Sequence, residues 1–130
     1  MAANQLTPDK LSTYREGLRR RLSEPLTADE EAMLDTAWRE ARRAAARLVA
    51  EHGAKRVILF GSVARKARLH ADSDIDLAVE GMSKETYYRL AGDLLTTNGK
   101  RIDLVRLEDV RESFRRIIAL EGVLLANGDV

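Results

Sequence analysis

The sequence has no cysteine and only two histidines, His52 and His70. A disulfide scaffold, a thiolate zinc site, an iron–sulfur cluster and a cysteine nucleophile are thereby excluded. A histidine-rich metal site has too few ligands. Long apolar runs are missing too: the longest are four residues, such as Val57 to Phe60 and Val123 to Ala126, too short for a membrane-spanning helix. Aromatic residues make up 5% of the chain, thin for base-stacking platforms. Neither sign of charge dominates, with 22 basic against 21 acidic side chains, so bulk basicity gives no argument for direct nucleic-acid binding. The opening MAANQLTPDK lacks the charged start and apolar stretch of a signal peptide. The expectation is a soluble, reduced, cytoplasmic protein. Walker A, G-x-G-x-x-G, H-E-x-x-H and G-x-S-x-G patterns are all absent.

What is present suits one compact domain: 130 residues, 45% apolar and 33% charged. Thr7-Pro8-Asp9 reads as a helix start, followed at helical spacing by Leu11, Tyr14, Leu18 and Leu22, with Pro25 as the stop. Arg19-Arg20-Arg21 reads as a charge cluster at that helix's end rather than an RNA contact. Thr27-Ala28-Asp29-Glu30 is a capping box for a longer helix with the stripe Leu34, Trp38, Ala41, Ala45 and Leu48, closed by His52-Gly53. Its other face carries Arg39, Arg42, Arg43 and Arg47.

From residue 54 the pattern changes. Arg56 to Phe60 predicts a buried strand that stops at Gly61-Ser62. Asp74 to Val79 predicts a second, and Arg101 to Arg106 a third. Between them, Ser83 opens a helix through Tyr87, Leu90, Ala91, Leu94 and Leu95 that Asn98-Gly99 ends. Asp109 is expected to cap a last helix with Val110, Phe114, Ile117 and Ile118 inward, before a short strand from Val123 to Ala126. The predicted fold is α/β, a small mixed sheet packed against helices with an N-terminal two-helix extension. Residues 1–53 form the helical extension, its second helix packing on the sheet, and 54–130 the core.

The chemistry concentrates in Asp74-Ile75-Asp76-Leu77. On a strand, Asp74 and Asp76 point the same way, with Cα atoms about 6.5–7 Å apart. Ile75, Leu77 and Val79 point into the core. If the third strand lies alongside, Asp103, flanked by Ile102 and Leu104, joins the same face. Two unit charges about 5 Å apart repel by roughly 3 kcal/mol at an effective dielectric of 20, against a domain stability of about 5–15 kcal/mol. A divalent cation, usually Mg²⁺, relieves such a cluster, since it prefers carboxylates and substrate phosphates. Gly61-Ser62 supplies the anion receptor: glycine lets the backbone approach a ligand, and the Ser62 hydroxyl suits a phosphate. Arg65 and Lys66 add positive charge nearby. Anion receptors followed by metal-binding acids are what a Mg²⁺–nucleoside triphosphate requires. Trp38 reads as core and His70 as a plain loop residue.

The stretch ILFGSVARKARLHADSDIDLAVEG from Ile58 to Gly81, with RIDLVRLED from Arg101, resembles the minimal nucleotidyltransferases of the DNA polymerase beta superfamily. The resemblance covers about residues 45–126, including the E-G-V-L-L ending at Glu121 to Leu125. It implies a polymerase-beta-like fold. Gly61 and Ser62 would bind the triphosphate with Arg65 assisting, and Asp74 and Asp76 would hold the metals. Asp103 would ligate the catalytic metal and help to deprotonate the acceptor hydroxyl. The chain departs from the family pattern at Lys66, where glycine is common, and in a Ser62-to-Asp74 stretch one residue longer than usual. The resemblance further implies a pocket open on one side, because the helical C-terminal domain of larger relatives has no counterpart, and a partner that closes it. That partner would be an all-helical HEPN-type ribonuclease toxin receiving AMP from ATP, with this chain as the antitoxin. Two other readings stand beside it: a non-catalytic antitoxin or binding module acting by complex formation, and a transferase acting on a small molecule such as an aminoglycoside. A homo-oligomer is compatible with either.

Overall fold

The computed structural model describes residues 25–67, 69, 74–92, 96–97 and 100–128. The expected first helix from Thr7 to Leu22, the Arg19-Arg20-Arg21 cluster, His70, Leu94, Leu95 and the Asn98-Gly99 pair lie outside them.

Helix α1 (Ala28–His52) begins where the sequence places it. Thr27 accepts from the Glu30 N–H at 3.1 Å while the Glu30 carboxylate accepts from the Thr27 N–H at 3.0 Å, so two donors without helical partners are satisfied. Gly53 ends the helix in the left-handed region at φ 77°. Leu34, Ala37, Ala41, Ala44, Ala45 and Leu48 form the buried stripe. With four alanines in it, the helix sits close against the sheet. Trp38 is only half-buried, at the edge of that stripe.

Strand β1 (Arg56–Phe60) leads directly into a single helical turn, α2 (Gly61–Ala64). Strand β2 (Ile75–Glu80) follows, then α3 (Lys84–Gly92), the short β3 (Thr96–Thr97) and β4 (Lys100–Arg106). A 3-10 turn over Leu107–Asp109, helix α4 (Glu112–Glu121) and β5 (Val123–Asn127) complete the described chain. The strands lie in the order β3-β4-β2-β1-β5. Among the described strands, β2 and β4 alone run parallel, with α3 lying between them in the chain.

Two expectations are corrected. The described helix through Tyr87 spans Lys84–Gly92, and a helix continuous to Asn98-Gly99 is excluded because Thr96 and Thr97 pair as a strand with Arg101 and Lys100. Two β-branched threonines favour extended backbone, and Asn-Gly is a hairpin signal as much as a helix stop. Asp109 does not cap the last helix. It sits in the 3-10 turn, where it accepts from Arg106 at 2.8 Å. The extended backbone of Val110 and Arg111 delays helix α4 to Glu112, with no side-chain cap.

Both faces of the sheet are used. The larger core joins α1 and α3 to Val57, Leu59, Ile75, Leu77, Val79, Ile102 and Leu104. The opposite face is covered by α4 over a smaller cluster of Phe60, Ala78, Leu107 and Ile118, with Ile58, Val105 and Phe114 packed against it. Phe60 and Phe114 meet edge to face at 5.7 Å. Strand alternation thus sorts residues by parity, and the even positions of β1 and β2 share the α4 face with Asp103 and Val105 of β4.

Candidate active site

Cross-strand register lays out the α4 face as three rows. Arg56 opposes Glu80 at one end, with the guanidinium donating to both carboxylate oxygens at 2.7 and 3.1 Å. Ile58, Ala78 and Val105 fill the middle. Phe60, Asp76 and Asp103 form the last row. Here Asp76 and Asp103 are register partners across the parallel β2–β4 pair, so their side chains share one face. Asp74 stands one residue before β2 rather than inside it.

Gly61 follows Phe60 at the head of α2 and lies against this row. Its φ of 75° is in the left-handed region, and a β-carbon there would lie 2.9 Å from Asp76 Cγ. No other residue type fits both the backbone and the space. Ser62 is half-buried in the same turn, and the Arg65 N–H closes it onto the Gly61 carbonyl at 3.0 Å.

The electrostatics single out Asp76. Its carboxyl is pushed up to about 6, first by burial, then by the negative charges of Asp103 and Asp74, with Arg65 pulling the other way. Arg65 is itself held at 3.3 Å from Glu121 on α4, both side chains largely buried. Of the two cations after Ser62, Arg65 therefore acts on the acids. Lys66 does not join them: it adopts φ 55° and lines a groove of ≈ 600 Å³ on the α1 side with Leu34, Asp35, Trp38, Arg39 and Arg42.

The donor set at the acids is all oxygen, which fits a hard divalent cation, and Gly61 keeps the space beside Asp76 clear of a side chain. Among the described residues, no group of three or more acid or imidazole side chains is placed to hold a metal ion, so Asp74 does not complete a three-acid set with Asp76 and Asp103 here.

Two contributors were invisible to the sequence reading as site residues. Glu121 reaches Arg65 across 56 positions of chain, and only its place in the E-G-V-L-L ending hinted at it. The Tyr87 hydroxyl donates to the Leu104 carbonyl at 2.9 Å, fixing α3 to β4 beside Asp103. Helical spacing marked Tyr87 for burial but gave no sign of this bond.

The family model for polymerase beta nucleotidyltransferases matches residues 45–129. No curated protein matches the chain. A solved structure assigned as a minimal nucleotidyltransferase is 35% identical with a TM-score of 0.55, covering 69% of this chain and 93% of its own. A toxin–antitoxin structure with AMP-PNP shares the fold at 24% identity and a TM-score of 0.56, over 66% of this chain and 73% of that one. The tri-AMPylated Shewanella oneidensis HEPN toxin in complex with its MNT antitoxin gives 21% identity and a TM-score of 0.50, over 67% and 70%. Among the described residues, no helix is long and apolar enough to cross a membrane.

Proposed function

The chain belongs to the polymerase beta nucleotidyltransferase family, and from that premise we propose that it transfers AMP from ATP onto a hydroxyl of a partner protein, in a Mg²⁺-dependent reaction, as the antitoxin of a HEPN-type toxin. The observation that carries this reading is the Phe60–Asp76–Asp103 row beside Gly61, which sets paired acids against a bare backbone turn. A fold neighbour with AMP-PNP and another with an AMPylated HEPN toxin support this choice of nucleotide and partner class.

In this reading Gly61 and Ser62 receive the triphosphate and Arg65, braced by Glu121, offsets its charge. Asp74, Asp76 and Asp103 would hold Mg²⁺, which when bound neutralises acids and phosphates together and stabilises charge developing at phosphorus. Asp103, the more exposed of the acids, would take the proton of the acceptor hydroxyl. The acceptor oxygen forms a bond to the α-phosphorus, the bond to the β-phosphate oxygen breaks, and pyrophosphate leaves. Lys66 is assigned to the α1 groove rather than to the triphosphate.

The test is the intact mass of the helical partner after exposure to Mg·ATP and this protein. The expected result is a gain of one or more AMP units, lost in Asp74→Asn with Asp76→Asn while the fold persists. Full transfer by that double variant removes the proposal. Protection by it equal to wild type, without transfer, establishes the occlusion reading instead. Transfer to an aminoglycoside but to no protein would move the acceptor to a small molecule.

A further inference from the structure

We infer that the groove between α1 and the α2 turn is a docking site for an acidic segment of a protein acceptor. The proposed function supplies only the acceptor's nature as a protein; the groove's chemistry is a separate observation.

The arginines of α1 divide into two sets. Arg43 and Arg47 have acidic partners on their own helix, Glu40 at 4.0 Å and Glu51 at 3.4 Å. Arg39 and Arg42 line the groove with Lys66 and make no ion pair among the described residues. Three cations there face one acid, Asp35. Among the described residues the lining thus carries net positive charge, and such charge in a concave surface attracts the other sign.

The groove also has an apolar floor and a defined position. Leu34 and Trp38 supply the floor. The Trp38 indole N–H donates to the Val63 carbonyl at 3.1 Å. The groove is therefore fixed to the turn that begins at Gly61-Ser62. Nucleic acid fits less well. Arg42 already lies over the Trp38 ring at 5.4 Å, so that face is taken from a stacking base, and Asp35 on the wall would repel a phosphate backbone.

Trp38 is the sole tryptophan of the chain, so its emission reports on the groove directly. The experiment titrates the full chain with a synthetic hexapeptide of alternating glutamate and leucine. Its lysine–leucine counterpart and a single-stranded RNA hexamer serve as comparisons. The expected result is a saturable change in Trp38 emission with the acidic peptide alone, weakened about tenfold or more in Arg39→Glu with Arg42→Glu and kept in Arg39→Lys with Arg42→Lys. Raising the salt from about 50 to about 300 mM weakens it in wild type, which tests the charge without any substitution. No saturable change, a response unaltered by charge reversal, or tighter binding of the RNA would overturn the inference. Asp76→Asn should bind the peptide as wild type does. Peptide binding without AMP transfer would count against the proposed function alone; transfer without peptide binding would count against the groove alone.

Discussion

Gly61 and Asp76 stand so close across the β1–β2 pair that a β-carbon on the first would press on the carboxylate of the second, 2.9 Å from its Cγ. The positive φ of Gly61 and the direction of the Asp76 side chain are thus one feature, a cleared space at the mouth of the acid row. Glycine here serves contact, not only turning.

Gly61→Ala should therefore fail on two counts. The left-handed backbone costs about 1–2 kcal/mol with any β-carbon, and overpacking against Asp76 adds about 1–3 kcal/mol. A urea melt should show a loss in that range, with AMP transfer abolished in the folded fraction. A wild-type melt with retained transfer would mean that the space beside Asp76 is not needed.

Asp76 gives a pH dependence whose sign can be worked out. Its carboxyl is pushed up to about 6 from an ordinary 3.8. Between those values the folded chain holds a proton that the unfolded chain has released, so this group's contribution to stability falls as pH rises through the window. Glu80 works oppositely, because its hydrogen bond to Arg56 lowers its proton affinity and its contribution is lost as pH falls. The difference between wild type and Asp76→Asn isolates the first effect. In thermal melts the variant should gain on wild type from about pH 4 to about pH 6 and level off above. Millimolar Mg²⁺ should raise the wild-type midpoint above pH 6, leaving Asp76→Asn nearly unchanged. An Mg²⁺ response equal in both proteins would count against Asp76 as a ligand.

Lys66 occupies φ 55°, where glycine is the ordinary solution. Lys66→Gly removes a backbone penalty of about 1–2 kcal/mol and returns about 0.5–1 kcal/mol through the greater freedom of the unfolded chain. The melting temperature should rise modestly. A clear fall would show that the lysine side chain contributes more than its backbone costs.

Tyr87→Phe deletes a half-buried hydrogen bond to the Leu104 carbonyl while keeping the ring. The expected cost is about 0.5–1.5 kcal/mol in a urea melt. Burial, followed by the charges of Asp103 and Asp109 and the neighbouring Tyr88, raises the phenol's proton affinity. The hydroxyl thus stays a donor at neutral pH, and the loss should be constant between about pH 6 and about pH 8. A loss that varied across that range would point to another titrating group.

Much of the architecture was legible because it rests on local rules. The Thr27–Glu30 box, the Gly53 stop and the alternation in Arg56–Phe60 and Ile75–Glu80 are chemistry between neighbours. The two misread places show where such rules compete. Asn98-Gly99 suits a helix end and a hairpin equally well as a sequence, and only the pairing of Thr97 with Lys100 shows that extended chain flanks it. Asp109 is a good helix cap by type, but Arg106 engages it three residues upstream.

The sequence by itself determined that two acids two residues apart precede a buried strand face, that a third sits on another strand, and that a glycine ends the strand before them. Alternation alone requires that much. Only the tertiary structure decided that Asp103 is the register partner of Asp76, that Arg65 leans on Glu121, and that Lys66 turns to the α1 groove. Each depends on which strand lies beside which, or on contacts between distant segments. Such contacts follow from how the whole core closes, and no local pattern carries that information.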